Sequence, residues 1–297
     1  MRTFSALVRR NVKMFFKDKG MFFTSLITPI ILLVLYATFL ARIYRDSFVS
    51  ALPDGLAIDE KLISATVGGQ LMSSLLAVSC VTVSFCANLL SVQDRVSGAR
   101  KDMLVTPVRR STIAGAYYVG TLATTVIVSL VATAACFVYL AINGWYLSFG
   151  DVALIILDVV ILTMFGTALA SVVNAFLTSN GQASAVGTIV SAGYGFICGA
   201  YMPISQFGGA LGNVMMFLPG TYGTSLIRNH CLGGVYREMS SIGFPSGVVE
   251  GIKDSVDCNI YFFGSSVPIG AMYAVTLGAV VALVGAYVLI NVLKKRA

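Results

Sequence analysis

The chain has 297 residues, 57% of them hydrophobic and only 11% charged, with a formal net charge of +7 and a mean hydropathy of +0.86. A soluble domain carries roughly 25% charged residues, so the composition excludes a water-soluble globular protein and places the chain in a membrane. Residues 2–19 form the first element: Phe4, Leu7, Val8, Val12, Phe15 and Phe16 recur at helical spacing, while Arg2, Arg9, Arg10, Lys13 and Lys17 occupy the other faces. That pattern predicts an amphipathic helix lying on anionic lipid, broken at Asp18-Lys19-Gly20.

Beyond it, the segments 62–92, 111–150, 159–227 and 258–293 carry no charge, and 21–41 is another uncharged run. About 20 apolar residues suffice to cross a hydrocarbon core, so the longer runs must be divided by turn chemistry. Asn143-Gly144 supplies one break and Thr178-Ser179-Asn180-Gly181-Gln182 another. The reading is an all-α membrane protein with six helices, at 21–42, 63–91, 112–141, 151–177, 183–202 and 267–291. Pro29 removes a backbone hydrogen bond from the first and predicts a kink. No cleavable secretory leader is read before that span, which is expected to stay in the mature protein.

Residues 203–233 are apolar but interrupted by Pro203, Gly208-Gly209, Gly212, Pro219-Gly220 and Gly223. Short helices that enter the outer leaflet and return are expected there, followed by a polar external loop over 234–266. No internal repeat of the kind found in secondary transporters is evident.

The basic residues fix an orientation. Arg2, Arg9, Arg10, Lys13, Lys17, Lys19, Arg95, Arg100, Lys101, Arg109, Arg110, Lys294, Lys295 and Arg296 are fourteen of the twenty, and six spans put them all on one face. By the positive-inside rule that face is cytoplasmic, with both termini on it. Asp46, Asp54, Asp59, Glu60, Glu238, Glu250, Asp254 and Asp257 fall outside, leaving Asp18, Asp94 and Asp102 within. The expected location is the cell membrane.

The chemistry-bearing motifs are few. No Gly-Lys dipeptide occurs, so a phosphate-binding loop is absent and the chain binds no ATP in the usual way. No nucleophile elbow, His-Glu-x-x-His or Cys-x-x-Cys pattern is present, and the chain has one histidine, so neither catalysis nor a metal site is expected. Cys80, Cys86, Cys136 and Cys198 fall within spans; Cys231 and Cys258 fall outside, as either a disulfide or two free thiols. Asp158 is the one charge well inside a span, so a functional or pairing role toward a cavity or neighbouring helix is expected. Lying about 10 Å from the start of its helix, it serves either local structure or a substrate or proton path. His230 reads as an interfacial residue.

One cytoplasmic connection, "QDRVSGARKDMLVTPVRR" over 93–110, stands apart. Asp94 is expected to cap a short helix through Met103, ended by Pro107. Its mixture of Asp94, Arg95, Arg100, Lys101 and Asp102 with Val96, Met103 and Leu104 suits a protein surface better than a lipid surface. Arg109 and Arg110 read as the pair that sets topology at the foot of the third span.

These features together resemble the membrane subunit of an ATP-binding-cassette exporter of the type 2 permease class. The resemblance rests on the amphipathic N-terminal helix, the six spans, the charged second-to-third connection and "LPGTYGTSLIR" before the last span. The family often reads Glu-Arg-Glu-x-Gly-Thr and then Leu-x-x-Thr-Pro in that connection; Asp94-Arg95, Gly98 and Leu104-Val105-Thr106-Pro107 correspond, while Val96 and Ala99 depart. It implies a coupling helix at about 93–104, with Asp94, Arg95, Gly98, Arg100, Lys101, Asp102 and Leu104 meeting a separate ATPase subunit that holds ATP and magnesium. It implies a second permease subunit, identical or homologous, and lipid contact, with no nucleic-acid partner. A substrate path between two copies, lined by the second and fifth helices, would use Tyr194, Phe196, Tyr201 and Met202 as an apolar wall for a drug, lipid or peptide. The competing expectations are an ATP-independent channel or secondary transporter, with Asp158 as its ionisable group, and a non-transporting membrane sensor.

Overall fold

The computed structural model describes residues 2–50 and 59–293. Asp54, Lys294, Lys295 and Arg296 of the charge argument lie outside those residues. Helix α1 (Arg2–Lys17) ends at Asp18, whose side chain accepts from the Met21 amide and caps α2 (Lys19–Leu35). Helix α2 continues through Pro29 into a π-helical turn, Tyr36–Leu40, and α3 (Ala41–Ser50). Then come α4 (Glu60–Val96), α5 (Ala99–Val105) and α6 (Arg110–Asn143). Helix α7 (Phe149–Ala175) opens with a capping box between Ser148 and Asp151, and α8 (Asn180–Ile197) is capped by Ser179. A 3₁₀ turn, Ile204–Gln206, leads to α9 (Gly209–Met215), α10 (Pro219–Ser241) and α11 (Ser246–Ser255). A two-stranded antiparallel hairpin, β1 (Tyr261–Phe262) with β2 (Ser265–Ser266), precedes α12 (Ile269–Leu293).

Among the described residues, five helical stretches are long and apolar enough to cross a membrane: Lys19–Leu40, Glu60–Val96, Arg110–Asn143, Phe149–Asn174 and Ile269–Leu293. The fifth helix read from the sequence, α8, has 18 residues, about 27 Å, and is not among them. It also ends earlier than expected. Cys198 closes it and Gly199, at φ 72°, turns the chain back, so Tyr201 and Met202 follow the helix and do not lie on it.

Helix α4 is the axis of the bundle. It packs against α2, α6, α7, α8 and α10, and 89% of its most apolar window is buried. Gly68, Gly69, Ser73, Ser74, Ser79 and Ser84 are all buried on it, the small side chains that let membrane helices approach closely. Large apolar side chains are exposed instead on the outer faces, such as Ile30 and Ile31 of α2, Val131 and Val138 of α6, and Val281 and Leu289 of α12. With no water in hydrocarbon to penalise them, these faces suit lipid.

The stretch 203–266 departs most from expectation. Its first part consists of short helical pieces, but α10 then runs unbroken for 23 residues across the boundary expected at 233. Pro219 sits at the start of α10, where its missing N–H is harmless, so it initiates the helix. Glycine at 234 is a packing requirement, because a Cβ there would lie 2.0 Å from the Tyr146 carbonyl oxygen. Residues 234–266 are not merely a loop: Leu62, Leu232, Val235, Tyr236, Met239, Phe244, Val249, Ile252 and Cys258 share a second apolar core. The disulfide alternative also fails, since Cys231 and Cys258 are both buried free thiols. The Cys258 sulfur lies 3.3 Å from the Tyr236 hydroxyl, while Cys231 belongs to the main core with Cys136.

Candidate functional site

The 93–110 connection is shaped by one left-handed residue. Helix α4 ends as the Ser97 amide donates to the Gln93 carbonyl at 2.8 Å, and Gly98 at φ 88° reverses the chain into α5. A side chain at Gly98 would touch nothing within 4 Å, so glycine is required for its backbone. The short helix begins at Ala99, and Gly98 is its cap. Asp94 does not cap it: that carboxylate sits in the last turn of α4 and is buried.

Asp94 instead closes a three-helix junction. Both terminal nitrogens of Arg10, on α1, donate to it, the Nη2–Oδ1 pair at 2.9 Å. Tyr117 of α6 adds its hydroxyl at 2.6 Å. Hydrogen bonding to Asp94 holds the Arg10 guanidinium above its ordinary pKa, with partial burial opposing. Arg95 points to α7, where its Nη1 donates to the carbonyls of Asn174, Ala175 and Leu177 at 3.2, 3.3 and 2.5 Å. Those carbonyls lie at and just beyond the C-terminal end of α7, where a cation suits the negative end of the helix dipole. Arg100 reaches Asn291 of α12 at 3.2 Å.

The charged residues of the connection therefore divide. Asp94, Arg95 and Arg100 bind their own bundle, whereas Lys101 and Asp102 are exposed beside Val96 and Val105, with Leu104 half-buried. Val105 is 88% exposed, an apolar side chain at the tip of a charged turn. Of the α1 stripe, Phe15 is buried, Phe4, Leu7, Val8 and Val12 are half-buried, and Phe16 is exposed. Helix α1 packs on α6, and Asn11, absent from the sequence reading, is buried there with its amide donating to the Ala116 carbonyl at 3.1 Å.

A polar layer behind this junction was also missed. Asn88 of α4 donates to Ser171 at 3.1 Å and accepts from the Asn174 amide at 3.0 Å, tying α4 to α7. The available signal was two asparagines inside long uncharged runs.

The residues expected to wall a substrate path are not brought to one face. Tyr194 lines an apolar cavity of about 550 Å³ with Phe165, Leu169, Ile189, Pro219 and Leu283. Phe196 is 50% exposed and packs edge-on against Tyr201, with ring centroids 5.1 Å apart. Met202 is half-buried in the turn that follows. Helix α4, the second span of the expected path, is enclosed by its own bundle, while α8 is largely exposed.

Asp158 is buried elsewhere, between α7, α10 and α12, against His230 and Tyr273. His230 is thus a buried partner and not an interfacial residue. Two residues earlier, Arg228 is fully buried and donates to the carbonyls of Val256 and Gly199 at 2.6 and 2.9 Å, with the Asp257 carboxylate 3.6 Å away. It joins α10 to the turn after α8 and to the end of α11.

A search of curated protein sequences returned no match. The family described as ABC-2 type transporter matches residues 2–231, which contain α1, the junction at Asp94, α5 and the helices as far as the middle of α10. That match covers well over half of the chain and reaches every element of the junction, so the chain belongs to the ABC-2 type transporter family and is a multi-pass membrane permease.

Proposed function

We propose that this permease is half of the membrane domain of an ATP-driven exporter and that α5 is the surface through which a separate ATPase subunit drives it. One observation carries the reading: the connection fastens itself inward through Asp94, Arg95 and Arg100 while presenting Lys101, Asp102 and Val105 outward. A solvated loop needs no such anchoring. A surface that receives force needs rigid ties to the helices it moves and free groups for its partner, and contacts between them must differ in the two states of the cycle. ATP and magnesium then belong to the ATPase. In this scheme α2–α3, α4, α6, α7, α8 and α12 make six spans with both termini in the cytoplasm of the cell, in agreement with the clustering of basic groups around α1 and α5. Helix α9 and the start of α10 are the re-entrant outer-leaflet pieces. The exposed face of α8 meets a second permease subunit, and the apolar cavity beside Tyr194 suits a hydrophobic or amphipathic cargo.

The test is co-expression with a Walker-motif ATPase, followed by co-purification and measurement of ATP hydrolysis in nanodiscs. The double reversal Lys101→Glu with Asp102→Lys is expected to abolish stimulation of hydrolysis by the permease while leaving its thermal stability unchanged. Unaltered stimulation in that variant would remove α5 as the docking surface.

A further inference from the structure

Helices α7 and α10 lie side by side and antiparallel, and each carries ionisable groups seven residues apart: Asp151 and Asp158 on α7, His230 and Arg237 on α10. They meet as two rungs. The first is Asp151 with Arg237, whose Nη1 lies 3.1 Å from Oδ1, at the end of the bundle away from α5; Arg237 is 56% exposed there. The second, seven residues or about 10 Å deeper, is Asp158 with His230, Nδ1 to Oδ2 at 2.5 Å. Tyr273 of α12 completes it, donating its hydroxyl to the other carboxylate oxygen and stacking its ring on the imidazole at 6.4 Å and 27°. Asp158 is 2% exposed and its flanking residues on α7, Ile155, Val159 and Leu162, are buried and apolar.

Charge balance decides what such a cluster binds. With a neutral imidazole the deeper rung holds one uncompensated negative charge, and with one added proton it is neutral overall. An isolated buried charge is costly where a paired one is tolerated. The other groups facing the rung do not supply the missing charge. Cys231 on α10, Cys136 on α6 behind it and Cys80 on α4 are buried thiols. Asp151 is committed to Arg237, and Arg228 to Val256, Gly199 and the neighbouring Asp257. We infer that Asp158, His230 and Tyr273 form a binding site for one proton, taken up by the Asp158–His230 pair to make it neutral overall, which ties α7, α10 and α12 together when loaded and loosens them when empty. The first rung, with Arg237 exposed, marks the end of the bundle from which the proton comes. Only the side of the membrane it comes from rests on the orientation proposed above.

The sequence supplies two built-in probes, because His230 is the sole histidine and Trp145 the sole tryptophan. Trp145 precedes Tyr146, whose carbonyl abuts Gly234 one helical turn beyond His230, so its emission reports the position of α10. Protein labelled with ¹⁵N-histidine in nanodiscs gives a single imidazole to titrate between about pH 5 and pH 9. The expected result is an imidazole that changes protonation in this range, accompanied by a change in Trp145 emission at the same midpoint. Asp158→Asn displaces the imidazole curve, and His230→Gln abolishes the emission change. Tyr273→Phe, which deletes one hydroxyl, displaces the curve as well and serves if Asp158→Asn does not fold. An imidazole that keeps one protonation state throughout, a curve unchanged in the variants, or emission indifferent to the titration would each overturn the inference. Neither probe needs an ATPase or a cargo, so a failure here is separable from failure of the exporter reading.

Discussion

Arg95 shows how the same residue type takes different work from its neighbours. It looks like Lys101 in sequence, yet its guanidinium ends α7 while Lys101 faces solvent. Arg95→Gln is therefore expected to lower the thermal unfolding temperature of the purified permease, whereas Lys101→Gln, a surface change, is expected to stay within about 0.5 kcal/mol of wild type. Asp94→Asn leaves Arg10 half-buried without its counter-charge, for an expected loss of about 1–3 kcal/mol in the same measurement. Gly98→Val forces a β-branched residue to φ 88° and is expected to cost about 1–2 kcal/mol, with Gly98→Asn markedly milder.

At the scale of elements, the outer cap gives a prediction with a defined sign. Hydrogen bonds from Lys253 and Asn259 hold the Glu250 carboxyl below its usual range. A depressed carboxylate stabilises its fold above the unfolded value, about 4.3, and that contribution disappears as pH falls through the lower folded value. Limited proteolysis of α11 should thus remain slow down to about pH 4 and accelerate only in stronger acid. The exposure of Glu250 makes the effect modest. How much of these elements could be read in advance follows from what signal each gives. The six stretches read as helices from uncharged length lie largely in helices, although the fifth stops at Ile197 and only the other five are long and apolar enough to cross a membrane, because length and hydropathy are read directly from composition along the chain. The sequence reading divides α10 at 233, where apolar residues give way to polar ones, and only the neighbouring Tyr146 backbone reveals Gly234 as a packing site inside a continuous helix. Asp94 was read as a cap from its position, but its partners Arg10 and Tyr117 are 84 and 23 residues away, and nothing local encodes them. The Asp158–His230 pair was hidden for the same reason, with 72 residues between its members.

At the scale of the whole molecule, the proposed orientation would make the two ends chemically distinct in a cell. Lys101→Cys should react with a membrane-impermeant thiol reagent only after the cytoplasm is opened, and Ser241→Cys from outside intact cells; the reverse pattern would invert the topology. The buried length of α4 has a mechanical consequence. At 37 residues it is about 55 Å long, nearly twice the thickness of the hydrocarbon core, with no proline or π-turn to bend it. Fastened by Asp94 and Arg95 at one end and by the Leu62 core at the other, it has the form of a stiff lever for the proposed exporter cycle. A tilt of about 5° moves one tip by about 5 Å relative to the other. In the proposed exporter cycle a small displacement of α5 would thereby be delivered, undiminished by flexing, to the folded cap at the other end of the bundle.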